Sequence, residues 1–405
     1  MKTVRRVLYL HHGGGLGGAP LSLLELARGL KQLGYCPEIV FTGFGPVLDL
    51  AKSSGIRVDV VRLPAAFSYG MHVPLRVRMV LRWMVSSRLT MQRSLQLIKE
   101  RQPELVHLNS SVLLPVARAA RKLDIPLVWH IREVPGSNRQ LRNWQGRQIV
   151  RLADAVIATS GFVRSALPAS DRVHVIHNAV RVAVFQVGNS KRKSERAKLG
   201  ISLDAPVVAI LGNVQQAKGH FFLLEASVRV VRKVPNVKFI VAAAGAGPFY
   251  RQSWKGRVKR ALHLPLDNRE RLRRAVREAG LEDHYLFLDF QEDVAGILAV
   301  ADLLVFPSLA PEGFGRPLIE AMAAGLPIVA TRVGPTSEIV GPEAARLVEP
   351  GDVEGLAEEI VGLLQNPARA SEMGEKGAVR AHNFFSLDLH LQKIDGIYRK
   401  VLKAG

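Results

Sequence analysis

The sequence predicts an α/β protein built from two doubly wound parallel sheets, and three observations carry that prediction. The chain has 405 residues, more than one ordinary core accommodates, so two domains with separate cores are expected. Short runs rich in Val, Ile and Leu alternate throughout with stretches of helical periodicity, as parallel strands joined by crossover helices do. The alternation is interrupted at residues 188–196 (GNSKRKSER), polar and charged, which read as a linker.

Taken in order, the first half offers strands at residues 4–10, 39–42, 58–63, 105–109, 127–131, 155–159 and 173–176. The second half restarts at 207–211, 237–243, 285–288, 303–306, 328–330 and 346–348. The expected division is 1–188 for an N-terminal domain and 197–385 for a C-terminal one, with 386–405 a final helix able to cross back. Ligands of such sheets bind at the carboxyl ends of the strands, so residues just past each run are the candidates for chemistry.

A composition of 48% hydrophobic and 22% charged residues is that of a globular enzyme rather than a disordered chain. No apolar run approaches the roughly 20 residues of a membrane span. The opening MKTVRRVLYLHHGGG is basic, but its apolar stretch from Val7 to Leu10 is too short for a secretory leader. Cys36 stands alone, which excludes an internal disulfide and a multi-thiolate metal site. A cytoplasmic location is expected.

Charge is distributed unevenly. Lys and Arg number 56 against 35 Asp and Glu, a net +21. Residues 1–190 hold 26 basic and 10 acidic residues, or +16, whereas 191–405 hold 30 and 25, or +5. A polyanionic partner is therefore expected to meet the first half. Nothing acidic lies between Asp59 and Glu100, where Arg62, Arg76, Arg78, Arg82, Arg88, Arg93 and Lys99 alternate with Val, Leu, Met and Trp83. One reading is an amphipathic helix packing its own domain. The other is a surface resting on anionic lipid, with arginines at headgroups and Trp83 in the interface. Residues 250–263 (YRQSWKGRVKRALH) form a second basic stretch, resembling an insertion. No recognisable nucleic-acid module is present, so an anionic membrane surface, at the inner face of the cell membrane, ranks ahead of nucleic acid.

The strongest local signal is PEGFGRPLIEAMAAG, which carries Glu312 and Glu320. It follows a buried strand that ends at Pro307, and a helix begins near Gly315. Gly313 and Gly315 permit close backbone approach, and N–H groups at a helix start bind phosphate. Carboxylates suit sugar hydroxyls because they accept two hydrogen bonds at once. Read from residues alone, a helix cap and a solvated helical charge account for Glu312 and Glu320 as well as a site does.

The E-x7-E spacing of EGFGRPLIEAMA resembles the signature of the retaining glycosyltransferases of family 4, whose fold is GT-B: two Rossmann-like doubly wound domains facing a central cleft. The resemblance continues along nearly the whole chain. Gly212-Asn-Val-Gln-Gln-Ala-Lys218-Gly219 resembles the loop whose lysine holds the donor diphosphate. Ala244-Gly-Ala-Gly-Pro248 resembles the turn after the next strand, and Gly334-Pro-Thr-Ser-Glu338-Ile the loop following Thr331. Residues 13–18, followed by Ala19-Pro20, resemble the glycine-rich loop that faces donor phosphates. Trp129-His130-Ile-Arg132-Glu133 resembles the segment whose histidine lies beside the transferred sugar. Ser160-Gly-Phe-Val and Val175-Ile-His-Asn178 stand where the family has S-x-x-V and V-I-x-N-G-V-D.

What the resemblance implies is transfer of a sugar, with retention, from a UDP- or GDP-type donor to an acceptor hydroxyl, with the nucleotide sugar as substrate and no further cofactor. Glu312 and His130 would serve the transferred sugar and Glu320 the donor ribose. Lys218, Asn213, Gly17, Gly18, Phe314, Gly315, Arg316 and Glu338 would complete donor binding. The acceptor would be a sugar or a lipid-linked glycan, as in surface polysaccharide or glycolipid synthesis. Two departures stand out. Asn213 occupies a position where the family often has arginine, which places more of the diphosphate's charge on Lys218. Ala179-Val180-Arg181 replaces the usual Gly-x-Asp after Asn178.

Other classes are weighed on particular residues. Residues 13–18 also fit G-x-G-x-x-G, but the acid expected to close the second strand of a nicotinamide site is missing: Glu38 opens that strand, which ends Val40-Phe41-Thr42. Metal catalysis lacks a D-x-D, and the adjacent His11 and His12 would point to different sides of a strand end. No metal ligand set is expected. An epimerase, or a protein that binds nucleotide sugar without transferring it, stays open on the same fold.

Overall fold

The structure is a computed structural model that describes residues 5–63, 77–133, 136, 138–243 and 267–404, with the side chains of 77–85 and 404 left aside. Two units emerge, each an all-parallel sheet with crossover helices. In the first, β1 (Arg5–His11), β2 (Tyr35–Phe41), β3 (Arg57–Val60), β4 (Leu105–Leu108), β5 (Leu127–Ile131), β6 (Ala155–Ala158) and β7 (Val173–Val175) stand in the order β3-β2-β1-β4-β5-β6-β7. The winding reverses between β1 and β4, which opens a crevice at their carboxyl ends.

The central strands are buried on both faces, which is why they read in sequence as continuous apolar runs. Tyr9 pairs in register with His107, and His107 with Val128, so Tyr9, His107 and, two residues beyond Val128, His130 share one face. Trp129 and Leu108 take the other. The shared face is covered by helices Gly18–Gln32 and Leu387–Ala404. Gly29 allows these two helices to meet, because a Cβ there would stand 2.4 Å from Leu391 Cδ1. The final helix thus completes the first unit's core with Ile394 and Tyr398.

The second unit contains β8 (Val207–Leu211), β9 (Lys238–Ala242), β10 (Tyr285–Leu288), β11 (Leu303–Phe306), β12 (Ile328–Thr331) and β13 (Arg346–Val348), ordered β10-β9-β8-β11-β12-β13. Its reversal lies between β8 and β11.

Two expectations about organisation are corrected. Residues 189–198 are no linker but helix Asn189–Lys198, part of the second unit, and the division falls at Ala179/Val180 rather than after 188. The cause is Arg196, whose side chain is fully buried. Its guanidinium donates to the carbonyls of Val300, Ser202, Leu203 and Ala205 and, at 2.8 Å, to the Asp302 carboxylate. Arg192 reaches the same carboxylate at 2.5 Å. A guanidinium can be buried when its donors are satisfied in this way. The second correction concerns Glu312–Phe314, which group with the first unit.

Of the basic stretch, residues 77–101 form helix Val77–Arg101. Thr90, Ser94, Leu97 and Ile98 are buried on one side, and Arg88, Arg93 and Lys99 are exposed, so this part packs its own unit. The side chains of Arg78, Arg82 and Trp83, and residues 72–76, 244–248 and 250–263, lie outside the description. No helix among the described residues is long and apolar enough to cross a membrane.

Candidate active site

In the second unit the chain leaving β8 turns at Gly212, at φ 114°, a backbone conformation suited to glycine. Asn213 is exposed, and a single 3-10 turn, Gln216–Lys218, presents Lys218 half-buried. The Lys218 ammonium lies 3.5 Å from where a Cβ on Gly212 would stand. Gly219 ends the turn at φ 72°, and its own Cβ would fall 1.7 Å from the carbonyl oxygen of Pro307. Leu309 then donates its N–H to the Ala217 carbonyl at 2.8 Å, and the Thr331 hydroxyl donates to Ser308 O at 2.5 Å. The strand-end loops of β8, β11 and β12 are therefore joined, and the Lys218 turn is keyed to the loop that runs on to Glu312.

Beyond that loop Gly315 takes φ 92° as N-cap of helix Arg316–Ala323. A Cβ there would lie 3.1 Å from both Leu318 Cδ1 and Phe306 Cζ. Pro317, early in the helix, supplies no N–H, and Leu318 N–H is taken by Gly315 O. Neither residue therefore adds to Phe314, Gly315 and Arg316, the amides expected from the sequence at this helix start. Glu320 is not a solvated charge: its side chain is 8% exposed, and its carboxylate pairs at 2.6 Å with Arg316, one turn earlier. Glu312 is half-buried. Glu338 stands half-buried on the short helix Thr336–Val340, and its carbonyl accepts from Arg380 at 2.7 Å.

In the first unit Ser160 accounts for the S-x-x-V element. Its hydroxyl accepts from Val163 N–H at 3.2 Å and donates to Gly313 O at 2.9 Å, with Thr159 donating to the same carbonyl at 3.2 Å. A Cβ on Gly313 would meet the Arg132 carbonyl oxygen at 2.1 Å, so only glycine fits there. Phe314 is buried, with its ring 5.9 Å from that of His177.

The glycine loop divides into structural and open positions. Gly13 N–H donates to the Thr42 hydroxyl at 3.1 Å, and Gly14 passes so near residues 43–45 that a Cβ would sit 2.6 Å from Gly43 O. Around Gly15 and Gly17 a Cβ would meet nothing within 4 Å. Gly17 N-caps helix Gly18–Gln32 without a side-chain cap, and no acid lies in the first turn, a start suited to an anion. At the end of β2 stands Thr42 rather than an acid, while Glu38 sits mid-strand against Arg101 at 3.2 Å and Arg57 at 3.5 Å. A nicotinamide ribose finds no carboxylate there.

His130, expected to serve the transferred sugar, is set deep in the first unit. His130 is fully buried, on the face covered by the final helix, with its ring 5.5 Å from His107 and 6.4 Å from His390. Its Nδ1 lies 3.4 Å from the guanidinium of Arg132. That guanidinium also donates to Asn109 Oδ1 at 2.6 Å and to Asn178 Oδ1, which is the role the structure gives the V-I-x-N asparagine. Burial first, and the Arg132 charge second, hold His130 and His107 well below the usual imidazole range. His11 is likewise lowered to about 3, chiefly by burial. His130 is thus a neutral group beneath Arg132. The strand's polar exit is Arg132 and Glu133, which the charged pair directly after an apolar run signals in the sequence.

His11 and His12 also depart from expectation. Their rings lie 4.9 Å apart, because the chain bends after β1 and strand alternation no longer separates them. Among the described residues no group of three His, Cys, Asp or Glu could hold a metal ion.

Comparison with known proteins agrees with this architecture. Residues 16–184 match the family described as Glycosyltransferase Family 4, and 191–380 the family described as Glycosyl transferases group 1. The lipopolysaccharide core biosynthesis mannosyltransferase LpsB of Rhizobium meliloti is 27% identical over 270 residues, 66% of this chain and 71% of that one. A D-inositol 3-phosphate glycosyltransferase of Mycolicibacterium paratuberculosis is 29% identical over 273 residues, 65% of this chain but only 56% of its own length. In fold, the structure of Anabaena Alr3699/HepE in complex with UDP-glucose superposes with a TM-score of 0.78 at 23% identity, over 98% of this chain and 99% of that one.

Proposed function

The chain belongs to glycosyltransferase family 4, and on that footing we propose that it transfers a hexose or related sugar, with retention, from a UDP- or GDP-type donor to an acceptor hydroxyl. The observation that carries this reading is the keying of the Lys218 turn onto the loop leading to Glu312, through Gly219 on Pro307 and Leu309 on Ala217. It ties the turn that carries Lys218, a cation suited to diphosphate, to the loop that runs on toward the two glutamates.

In this reading Lys218 and the amides of Phe314, Gly315 and Arg316 stabilise the departing diphosphate, as fixed donors aimed at developing charge do. Asn213 and Glu338 flank the donor. Glu312 grips the sugar hydroxyls, and Glu320, oriented by Arg316, takes the ribose. Neither glutamate acts as a proton-transferring acid or base. The uncapped helix start at Gly17 and Gly18 is the first unit's own phosphate-seeking element, and that unit presents the acceptor. His130 serves by positioning Arg132. The transfer is metal-independent and needs no cofactor beyond the donor.

The acceptor is a lipid-linked or growing surface glycan. Its supports are the +16 balance of residues 1–190 and the likeness to a lipopolysaccharide core enzyme. The protein works in the cytoplasm, peripheral to the anionic inner face of the cell membrane. Flotation with anionic liposomes tests the location: salt-sensitive co-flotation is expected, and its absence removes the membrane from the reading. Donor hydrolysis across UDP- and GDP-sugars, with and without chelator, tests the chemistry. Cleavage that survives chelator in the native protein and disappears in Glu312→Gln is expected; cleavage by that variant at the native rate contradicts the assignment.

A further inference from the structure

Three polar side chains that donor binding does not use meet past the carboxyl ends of β1, β4 and β5. Glu133, just beyond β5, receives the Ser110 hydroxyl on Oε1 and, at 2.9 Å, the Ser111 N–H on Oε2. Both of its oxygens are thereby held, so the carboxylate keeps one orientation. Its Oε1 also stands 3.6 Å from Nδ1 of His12, the residue after β1. His11 beside it is buried, with Nδ1 3.0 Å from the Asn109 carbonyl. His12 differs: 36% of its side chain is exposed, yet its Nδ1 is buried and makes no hydrogen bond, with the Glu133 carboxylate 3.6 Å away as the charge it faces. The exposed part of the ring is therefore the far edge, which carries Nε2.

At 3.6 Å the carboxylate makes no hydrogen bond to Nδ1, but its charge favours the tautomer with the proton on that nitrogen and the Nε2 lone pair directed outward. The next residues open the space in front of it, since side chains are missing at Gly13, Gly15 and Gly17 and a Cβ on either of the last two would touch nothing within 4 Å. A hydroxyl-bearing ligand is what such a site takes. It offers one fixed acceptor for an O–H, and no cation to select an anion is among its three side chains.

We infer that His12, oriented by Glu133 and Ser110, accepts the hydrogen bond of the sugar acceptor's reacting hydroxyl. His12 is then an acceptor-contact residue, and Glu133 a positioning residue that sets its tautomer. The inference rests on the glycosyltransferase reading and adds to it where the acceptor is held.

Two measurements on the full chain test it. The first needs no acceptor: ¹⁵N shifts of the His12 ring, assigned by its loss in His12→Gln, are expected to show Nδ1–H and a bare Nε2. An Nε2–H tautomer overturns the inference. The second follows transfer to octyl glucoside and octyl mannoside beside donor hydrolysis by water. His12→Phe is expected to raise the glycoside KM about tenfold or more, the loss of one hydrogen bond, with the KM for the nucleotide-sugar donor unchanged. His12→Gln, which keeps an acceptor near Nε2, stays within about threefold of the native protein. Glu133→Gln is expected to raise KM while leaving kcat within a similar factor. A native glycoside KM in His12→Phe, or a donor KM that rises with it, overturns the inference. Failure of the native protein to cleave any donor overturns the glycosyltransferase reading instead, and leaves the tautomer result to decide the geometry.

Discussion

The phenol oxygen of Tyr398, on the last helix, lies 2.6 Å from Nδ1 of His107 in β4, 291 residues earlier in the chain, and 3.1 Å from the hydroxyl of Tyr9 in β1. The phenol donates to Tyr9, and the buried, neutral His107 meets its oxygen without a charge. The end of the chain is thereby tied into the centre of the first sheet. Tyr398→Phe should cost about 1–3 kcal/mol, the penalty of a buried acceptor left without its donor, seen as a lower urea midpoint with an unchanged slope. Deleting residues 387–405 removes Ile394 and Tyr398 from the core and should yield a first unit that aggregates.

Acid should unfold the first unit early. Burial, then nearby charge that includes Arg132, lowers His11 and His390 to about 3 and holds His107 and His130 well below the usual imidazole range. These groups are neutral when folded and titrate near 6.5 when unfolded. Below that value the unfolded chain binds more protons, so stability is fully present above about pH 6.5 and falls as pH drops toward the folded values. Each histidine contributes about 1 kcal/mol of loss between pH 7 and 5.5, and together on the order of 5. Urea melts across this range check the slope, and His130→Gln should reduce it by about one proton. A flat profile contradicts the burial.

Gly219 and Gly17 should separate fold from function. At Gly219 a Cβ would overlap the Pro307 oxygen at 1.7 Å and the backbone has φ 72°, so Gly219→Ala should destabilise by roughly 2 kcal/mol or more and disorganise the Lys218 turn. At Gly17 the backbone is extended and the space open, so Gly17→Ala should leave stability within about 0.5 kcal/mol. Donor turnover is expected to fall in both. Thermal melts beside donor hydrolysis distinguish the two outcomes.

The Arg316–Glu320 pair should couple stability to donor affinity. Both side chains are mostly buried and meet at 2.6 Å, so Glu320→Gln leaves a buried guanidinium short of its counter-charge and should cost about 3 kcal/mol. Adding Arg316→Met should recover part of that loss, giving a coupling in the double-mutant cycle. Calorimetry with UDP and GDP should show the single variant binding about tenfold more weakly; unchanged affinity removes the ribose role from Glu320.

Much of the fold is legible along the chain. Strands buried on both faces must be apolar throughout, and the runs at 105–109, 127–131 and 303–306 announce β4, β5 and β11 within a residue. The helix at 189–198 was not legible, because its composition is that of a linker and only the carbonyl cage around Arg196 reveals the packing. His130 was legible as a residue near a strand end but not as a buried one, since burial depends on a helix more than 250 residues later.

By itself, the sequence determined which segments are strands, where the glycines must turn, and that Lys218 and Glu312 stand past strand ends with Glu320 in the helix that follows, because these follow from local periodicity and backbone conformation. The tertiary structure alone decided the environment of each charge. It placed Glu320 against Arg316, set His130 beneath Arg132 in a neutral cluster, and joined His12 to Glu133 across two strands. Burial and pairing energies depend on groups brought together from distant parts of the chain, and no local window of sequence contains them.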